Sequence, residues 1–233
     1  MKQRITILSV AGISAESGIS TFRDSDGLWE KHRIEDVATP EAWRLNPELV
    51  QQFYNQRRKQ LFDVEPNAAH LAITELQSKF DVQVITQNVD DLHERAGNQN
   101  VLHLHGELKK VRSTARPFTV YELDGWELKM GDLCENGHQL RPHIVWFGED
   151  VPNLFRASEL VSSSDAVIIV GTSLNVYPAA GLYRYTRPDR PIWIIDPKAN
   201  ELSYPKIITP INEKAGAALP RLVRSLVEGE IIL

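Results

Sequence analysis

A chain of 233 residues is long enough for one large domain, or for one domain that carries a smaller insertion. Its apolar fraction of 42% and charged fraction of 24% are ordinary for a folded soluble protein, and its net charge of −5 argues against a general nucleic-acid binder. No apolar run approaches the length of a membrane span, and the single cysteine, Cys134, excludes an intramolecular disulfide, so we expect a cytoplasmic protein that binds neither membranes nor nucleic acid.

Short apolar runs rich in isoleucine and valine predict the buried strands of a sheet. Because these runs are apolar on both faces, they fit a parallel sheet that helices cover on both sides. Four such runs occupy residues 5–9, 82–86, 166–170 and 192–195.

Segments with helical periodicity alternate with these runs, at residues 66–80, 159–163 and 217–227. The alternation of strands and helices predicts an α/β fold with a Rossmann-like, doubly wound parallel sheet. In the first of the three helices, the residues expected to lie near one face are Ala69, Leu71, Ala72, Leu76 and Phe80.

Two stretches do not follow this alternation of strands and helices. Residues 29–67 are helical and polar, and residues 109–143 are irregular and charged. We interpret both as insertions that together form a smaller lobe, whereas residues 1–28, 68–108 and 144–233 form the Rossmann-like lobe. A cleft between two lobes is a common place for a cofactor and a substrate to meet.

The first predicted strand runs directly into residues 11–18, which read AGISAESG. Small residues let backbone N–H groups approach a pyrophosphate, and the N-terminus of a following helix favours negative charge. The segment lacks the GxGxxG dinucleotide fingerprint, so the alternative is a tight strand-to-helix turn without a ligand.

Polar residues follow the second predicted strand at positions 86–93, which read TQNVDDLH. The carboxyl ends of buried parallel strands are where α/β sheets bind ligands. The alternative is a polar turn in which Asp90 caps a helix.

Taken in chain order, the segments of this sequence resemble the motifs of the sirtuin family. The resemblance continues through His105 and Gly106, which match the HG element of that family. The other matching segments are residues 10–23 (GAGxSxxSGIxxFR), 86–93 (TQNxDxLH), 140–149 (LRPxVVWFGE) and 171–180 (GTSxxVxPAA).

The resemblance implies a single catalytic domain over residues 1–233 that removes acyl groups from protein lysine and consumes NAD. The products would be nicotinamide and 2′-O-acyl-ADP-ribose. Acylated-lysine proteins or peptides would be the partners, and we expect a monomer.

The resemblance also implies roles for individual residues. His105 would be the catalytic base, since an imidazole with an ordinary pKa near 6.5 suits proton transfer, and Gln87 and Asn88 would complete the catalytic set. We interpret His93 and His103 as structural. The cofactor-binding residues would be Ala11, Gly12, Ala15, Glu16, Arg23, Gln87, Asn88, Asp90, Gly171, Thr172, Ser173, Asn175, Asp196 and Ala215. The substrate-binding residues would be Tyr54, Arg57, Val145, Trp146, Phe147 and Gly148.

One class of the family carries a Tyr-x-x-Arg pair, matched here by Tyr54 and Arg57. Residues three apart on a helix share a face, and a guanidinium can bind a carboxylate through two hydrogen bonds. Together with the small Ala15, this pair favours succinyl- or malonyl-lysine, while acetyl-lysine should still enter. The alternative is a solvated helix face.

Two features depart from the family pattern. Of the four cysteines that usually hold structural zinc, only Cys134 is present, and with His138 it supplies at most two ligands where four are needed, so we expect no zinc. The small lobe would then be held by packing of Phe118, Tyr121, Trp126 and Leu128.

The second departure is Val10, which stands in place of the first glycine of GAG and adds bulk near the pyrophosphate. Two alternative functions stay open, of which the second rests on Val10. One is a protein ADP-ribosyltransferase, and the other is a catalytically weak protein that binds NAD or a partner.

Overall fold

The computed structural model describes residues 2–19, 32–116, 118–172, 177–205 and 207–233. The strands within them are β1 Arg4–Ser9, β2 Asp81–Thr86, β3 Val101–His103, β4 Gly106–Ser113, β5 Val120–Glu122, β6 Leu140–Ile144, β7 Ala166–Val170, β8 Ile192–Ile195 and β9 Ile208–Ile211. The α-helices are α1 Gly12–Ala15, α2 Ile34–Val37, α3 Pro40–Leu45, α4 Pro47–Gln60, α5 Ala68–Leu76, α6 Leu92–Arg95, α7 Leu154–Ser162 and α8 Ala215–Glu228. No helix in this part of the chain is long and apolar enough to cross a membrane.

Six strands form one sheet in the order β3-β2-β1-β7-β8-β9, and every neighbouring pair runs parallel. The chain moves outward in one direction from β1 to β2 and β3, and then returns to place β7 on the other side of β1. This arrangement confirms the predicted α/β class with a Rossmann-like, doubly wound sheet.

The central strands are apolar on both faces because both faces are covered. Along β7, Ile168 packs into one core with α5 and α8, whereas Val167 and Ile169 pack into a second core with α7. Successive side chains of a strand point to opposite faces, so a strand between two helical layers needs a continuous apolar run.

The helices were predicted with less accuracy than the central strands. Helix α5 begins after the N-cap Asn67, whose carboxamide oxygen accepts from the backbone of Ala69 at 2.9 Å, and it ends well before Phe80. The prediction that Leu71 shares the buried face is wrong, because this side chain is 54% exposed. The edge strands β3 and β9 were not predicted.

The segment predicted to be irregular contains a second sheet. Strand β4 pairs antiparallel with β5 and with β6, in the order β5-β4-β6. The prediction is wrong because the pattern of β4 is broken by charged side chains, among them Lys110 and Arg112. Lys110 of β4 lies 2.9 Å from Glu107 of the same strand, and Arg112 lies 2.9 Å from Glu149 in the segment after β6, so both cations are paired.

The small lobe is held by polar contacts that the sequence analysis did not predict. Arg58 of α4 is 0% exposed, and its guanidinium donates to the backbone carbonyls of Leu108 at 2.5 Å and Trp126 at 2.7 Å. The carboxamide of Asn55 both donates to and accepts from the backbone of Leu128 at 2.9 Å. Burial lowers the pKa of Arg58 to about 10, which leaves it charged at neutral pH.

Of the four residues predicted to hold this lobe by packing, only one is buried. Leu128 is buried at 1% exposure, but Phe118 and Trp126 are exposed and Tyr121 is half-buried. The prediction that packing of the three aromatic residues holds the small lobe is therefore wrong. Asn55 and Arg58 anchor the lobe instead.

We expect Arg58→Ala to destabilise the protein by about 3 kcal/mol or more, because it leaves two buried carbonyls and the carboxamide of Asn55 without their donor. Denaturant unfolding measures this loss. The matched control is Arg44→Ala, since Arg44 lies on the surface with Glu41 and should contribute little. Equal stabilities of the two variants would contradict the anchoring role.

Candidate functional site

A cavity of about 740 Å³ opens at the carboxyl ends of β1 and β7. These two strands are neighbours at the point where the order of strands in the sheet changes direction. Ligands of doubly wound sheets bind at this topological switch point. The small lobe closes the other side, because Tyr54 and Arg57 of α4 and the segment after β6 line the same cavity.

The floor of the cavity is a contact between two glycines. Gly12 N donates to Gly171 O at 3.0 Å, and a Cβ added to Gly12 would lie 2.7 Å from the Cα of Gly171. Gly171 has φ of 70°, and a Cβ there would collide with the backbone of Ile13. The turns after β1 and β7 therefore meet backbone to backbone, and neither position accepts a side chain.

Val10 lines this cavity, half-buried, beside Ala11 and Gly12. Its N–H donates to Val170 O at 3.1 Å and its carbonyl accepts from Ile13 N at 3.1 Å. The backbone of Val10 thus continues the pairing between β1 and β7.

The loop after β2 presents a chain of buried polar groups. Asn88 donates through Nδ2 to Ser14 Oγ at 3.0 Å, and Ser14 Oγ donates to Asp90 Oδ2 at 3.0 Å. Asn88 and Asp90 are 7% and 5% exposed. Burial raises the pKa of Asp90, although bonds from the Leu92 backbone and from Ser14 oppose the shift.

The imidazole of His105 is held in one orientation by the same loop. Its Nδ1 lies 3.2 Å from Gln87 O. A carbonyl only accepts, so Nδ1 carries the proton, and in the neutral ring Nε2 keeps its lone pair. Burial lowers the pKa of His105, while the bond to Gln87 opposes this shift, and the ring is therefore neutral and basic near pH 7.

Gly106 lets the backbone of His105 reach the small lobe. It has φ of 83°, and a Cβ there would collide with His143 O of β6. Val145 N then donates to His105 O at 2.9 Å. His105 and the segment after β6 are therefore linked through backbone atoms.

Tyr54, Arg57 and Trp146 form the wall contributed by the small lobe. The indole Nε1 of Trp146 donates to the hydroxyl of Tyr54 at 3.1 Å, which leaves the phenolic hydrogen for another acceptor. Burial raises the pKa of Tyr54 to about 12. Burial lowers the pKa of Arg57, while Tyr54 and Asp90 oppose that shift, and the guanidinium remains the cation of this wall.

Trp146 is fixed in turn by a buried ion pair. The guanidinium of Arg141 lies 3.3 Å from the centre of the indole ring and donates to Glu149 at 3.0 and 3.1 Å. Glu149 also accepts from the backbone N–H of Trp146 at 2.8 Å. Strand β6 ends at Ile144, so Val145, Trp146 and the residues after them leave the sheet before they line the cavity.

The structure brings most of the predicted site residues together. The predicted site residues that line the cavity are Ala11, Gly12, Tyr54, Arg57, Gln87, Asn88, Asp90, His105, Val145, Trp146, Phe147, Gly148, Gly171 and Asp196. Thr172 is buried beside Gly171 without lining it. Arg23, Ser173 and Asn175 lie outside the described residues.

Three residues that were predicted to bind the cofactor do not line the cavity. Ala15 is exposed at the end of α1, outside the cavity lining, so the structure gives no support to the idea that its small size enlarges the acyl pocket. Glu16 accepts from Gly216 N at 2.9 Å, and Ala215 is buried in the core. These residues join α1 to the start of α8.

Ser14 is one of the cavity residues that were not predicted from the sequence. It is 2% exposed and links Asn88 to Asp90. The signal was a serine within the small-residue turn, but its partners lie more than seventy positions away.

Comparison with known proteins identifies the family. A profile described as the Sir2 family matches residues 10–178. The chain is 55% identical to an NAD-dependent protein deacylase of Helicobacter pylori over 228 residues, which cover 97% of this chain and 98% of the relative. It is 47% identical to a protein of the same name from Bacteroides thetaiotaomicron over 230 residues, covering 97% and 98%. The chain therefore belongs to the Sir2 family, or sirtuins.

Solved structures agree with this assignment. A Sir2 homologue in complex with NAD is 39% identical, with a TM-score of 0.84 over 98% of this chain and 91% of that one. A mutant Sir2 homologue in complex with ADP-ribose is also 39% identical, with a TM-score of 0.86 over 100% and 95%.

We expect His105 to titrate below the ordinary imidazole pKa near 6.5, because burial disfavours its charged form. Histidine NMR measures this titration, and the His105→Gln variant assigns the signal. A pKa at or above the ordinary value would contradict the geometry.

The titration needs a control for unfolding in acid. Burial lowers the pKa of His70 to about 4, so the unfolded chain binds a proton there that the native protein does not. Native stability should therefore fall as the pH drops from about 6.5 toward 4. Circular dichroism at each pH identifies the range in which the protein stays folded.

Proposed function

We propose that this chain is an NAD-dependent protein-lysine deacylase. The observation that carries the proposal is the orientation of His105, whose Nδ1 donates to Gln87 O and leaves Nε2 as a base in the cavity. Membership of the Sir2 family and the names of the bacterial relatives support it.

The residues at the switch point fit a dinucleotide. The glycine contact leaves only backbone at the floor of the cavity, which suits the close approach of a pyrophosphate. The carboxylate of Asp196, after β8, lines the same cavity and can accept from ribose hydroxyls. Val10 is compatible with this arrangement, since its backbone stays paired with Val170.

When bound, NAD supplies a ribose carbon from which nicotinamide can leave and to which the amide oxygen of acyl-lysine can add. His105 accepts a ribose hydroxyl proton at Nε2, and Asn88 meets the ribose with its carboxamide held by Ser14. The apolar wall around Trp146 keeps water from the reacting atoms. One water completes the turnover after nicotinamide has left, and the products are nicotinamide, free lysine and 2′-O-acyl-ADP-ribose.

The acyl group that the cavity favours is a short chain ending in a carboxylate, such as succinyl or malonyl. Arg57 supplies a cation, and Tyr54 supplies a hydroxyl whose hydrogen is not used by Trp146. Charge-assisted hydrogen bonds in a dry site are strong, and a guanidinium matches the two oxygens of a carboxylate. Acetyl-lysine also fits, but its methyl group offers the guanidinium of Arg57 no hydrogen-bond acceptor.

The small lobe requires no zinc under this proposal. Cys134 donates to Ser113 Oγ at 3.5 Å, and these residues do not supply four zinc ligands. Among the described residues, the one group that could hold a metal ion is Glu94 of α6, His103 of β3 and Glu107 of β4, and it does not include the cysteine.

The acyl preference is tested with NAD and matched succinyl- and acetyl-lysine peptides. We expect Arg57→Met to lower kcat/KM for the succinyl peptide by about 10- to 100-fold, because it removes a charged hydrogen bond, and to affect the acetyl peptide less. The matched control is Lys59→Met, an exposed cation on the same helix.

Other outcomes separate the alternatives. Preference of the wild type for acetyl-lysine would contradict the acidic pocket while leaving the deacylase in place. Transfer of ADP-ribose to protein, detected by mass, would indicate the transferase. No nicotinamide release, or release that is unchanged in His105→Ala, would contradict the deacylase itself.

We expect chelators to leave the midpoint of thermal unfolding unchanged, because Asn55 and Arg58 hold the lobe without a metal. Differential scanning calorimetry with and without EDTA measures this, and elemental analysis counts bound zinc. One equivalent of zinc, together with a lower midpoint in EDTA, would contradict the proposal.

A further inference from the structure

Three successive carbonyls of the loop after β2 are held by the segment that follows β3. The loop is defined by Gln87, Asn88 and Val89, and we call it the cofactor loop. The bonds are His105 Nδ1 to Gln87 O at 3.2 Å, His103 Nδ1 to Asn88 O at 2.9 Å and Leu108 N to Val89 O at 2.7 Å.

The middle bond comes from a histidine with two acceptors. His103 Nδ1 faces Asn88 O, and its Nε2 lies 2.8 Å from Glu94 Oε1 of α6. A carbonyl and a carboxylate both only accept, so both ring nitrogens carry hydrogen and His103 is an imidazolium. The side chain of His103 is 7% exposed, whereas that of Glu94 is 40% exposed, so the bond to Asn88 O is the buried one of the two.

The charges around His103 favour this state. Burial alone would lower its pKa, but the bond to Glu94 and the charges of Glu94 and Glu107 outweigh that effect and raise the pKa. Glu107 of β4 is paired with Lys110 at 2.9 Å, and the buried Asp90 also interacts with the imidazolium. On α6, burial lowers the pKa of the neighbouring His93, which stays neutral.

Loss of one proton would break one of the two bonds. A neutral ring protonated at Nδ1 turns a lone pair toward the Glu94 carboxylate. A neutral ring protonated at Nε2 turns a lone pair toward Asn88 O. Either arrangement is repulsive, so the hold on Asn88 depends on the charge of His103 as long as Glu94 is ionised.

Asn88 is otherwise fixed at its N–H by Thr86 Oγ1 at 3.0 Å and at its carboxamide by Ser14. We propose that His103 and Glu94 form a charged positioning pair that holds the peptide of Asn88 and thereby aims its carboxamide into the cavity. This role rests on the proposed NAD-dependent function, and neither residue lines the cavity or touches its contents.

The first test separates the hydrogen bond from the rest of the side chain. His103→Leu removes the donor, whereas His103→Asn keeps an N–H near the position of Nδ1. We expect His103→Leu to lower kcat for nicotinamide release by about tenfold or more with little change in the KM of the acetyl-lysine peptide, and His103→Asn to recover most of the loss. Equal losses in both variants, or a rise in peptide KM instead, would overturn the proposal.

The second test separates the charge from the bond. In Glu94→Gln, the amide can donate to Nε2 of a neutral His103, which then keeps its Nδ1 hydrogen on Asn88 O. Wild-type kcat should fall as the pH rises through the raised pKa of His103, and this alkaline decline should be absent in Glu94→Gln. Glu75→Gln, an exposed carboxylate on α5, is the control and should keep the wild-type profile. An alkaline decline that persists in Glu94→Gln would overturn the proposal.

A measurement without turnover distinguishes failure of this proposal from failure of the proposed function. ¹⁵N NMR of the free protein should show His103 doubly protonated at neutral pH, and the side-chain amide signal of Asn88 should shift in His103→Leu and return in His103→Asn. A singly protonated His103, or an Asn88 signal that does not respond, would overturn the positioning role even in an active enzyme. The expected spectra from a protein that releases no nicotinamide would contradict the deacylase alone.

Discussion

The backbone contact between Gly12 and Gly171 is the constraint on which the site depends. It lies where β1 and β7 end side by side, at the reversal of strand order, and it brings two turns closer than any side chain allows. The depth of the cavity follows from it, because a bulkier residue would separate the turns and move α1 away from β7. Residues of the cofactor loop then reach α1, where Ser14 meets both Asn88 and Asp90.

The small lobe completes the site through backbone contacts and paired charges in addition to its apolar cluster. Arg58 and Asn55 bind main-chain groups of β4 and of the segment between β5 and β6, and the pair of Arg141 and Glu149 fixes the indole of Trp146. Each of these side chains compensates its own burial by satisfying backbone or carboxylate acceptors. Because the same groups orient the substrate wall, folding of this lobe and shaping of the cavity occur together.

The sequence predicted the parts of the molecule that depend on local patterns. Continuous apolar runs revealed the central strands, and ordered motifs revealed His105 and the cofactor loop. Strands β3 and β9 were missed because they are short edge strands, of which β9 includes Pro210. The second sheet was missed because charged residues interrupt the apolar pattern of β4, and their partners lie on β4 itself, on β5 and in the segment after β6.

Long-range contacts explain the remaining errors. Arg58 stands in a run of three cations that predicts an exposed face, yet it is fully buried because carbonyls 50 and 68 positions away accept from it. Ser14 resembles any small turn residue until its partners on the cofactor loop are known. His103 was expected to be only structural, and its charge becomes evident only when Glu94 and the Asn88 carbonyl are seen on opposite sides of the ring.

The wall that the small lobe contributes to the cavity is also part of the apolar core. Tyr54 and Trp146 are 1% and 2% exposed and belong to the apolar cluster that joins α2, α3 and α4 to β6, whereas Arg57 is only half-buried. Under the proposed function, the residues of this wall therefore differ in how freely they can change when the acyl specificity changes. Replacement of either aromatic residue would alter the fold and the proposed substrate range at once, whereas Arg57 lies outside the apolar cluster. Divergence of acyl specificity among close relatives should accordingly concentrate at the arginine position.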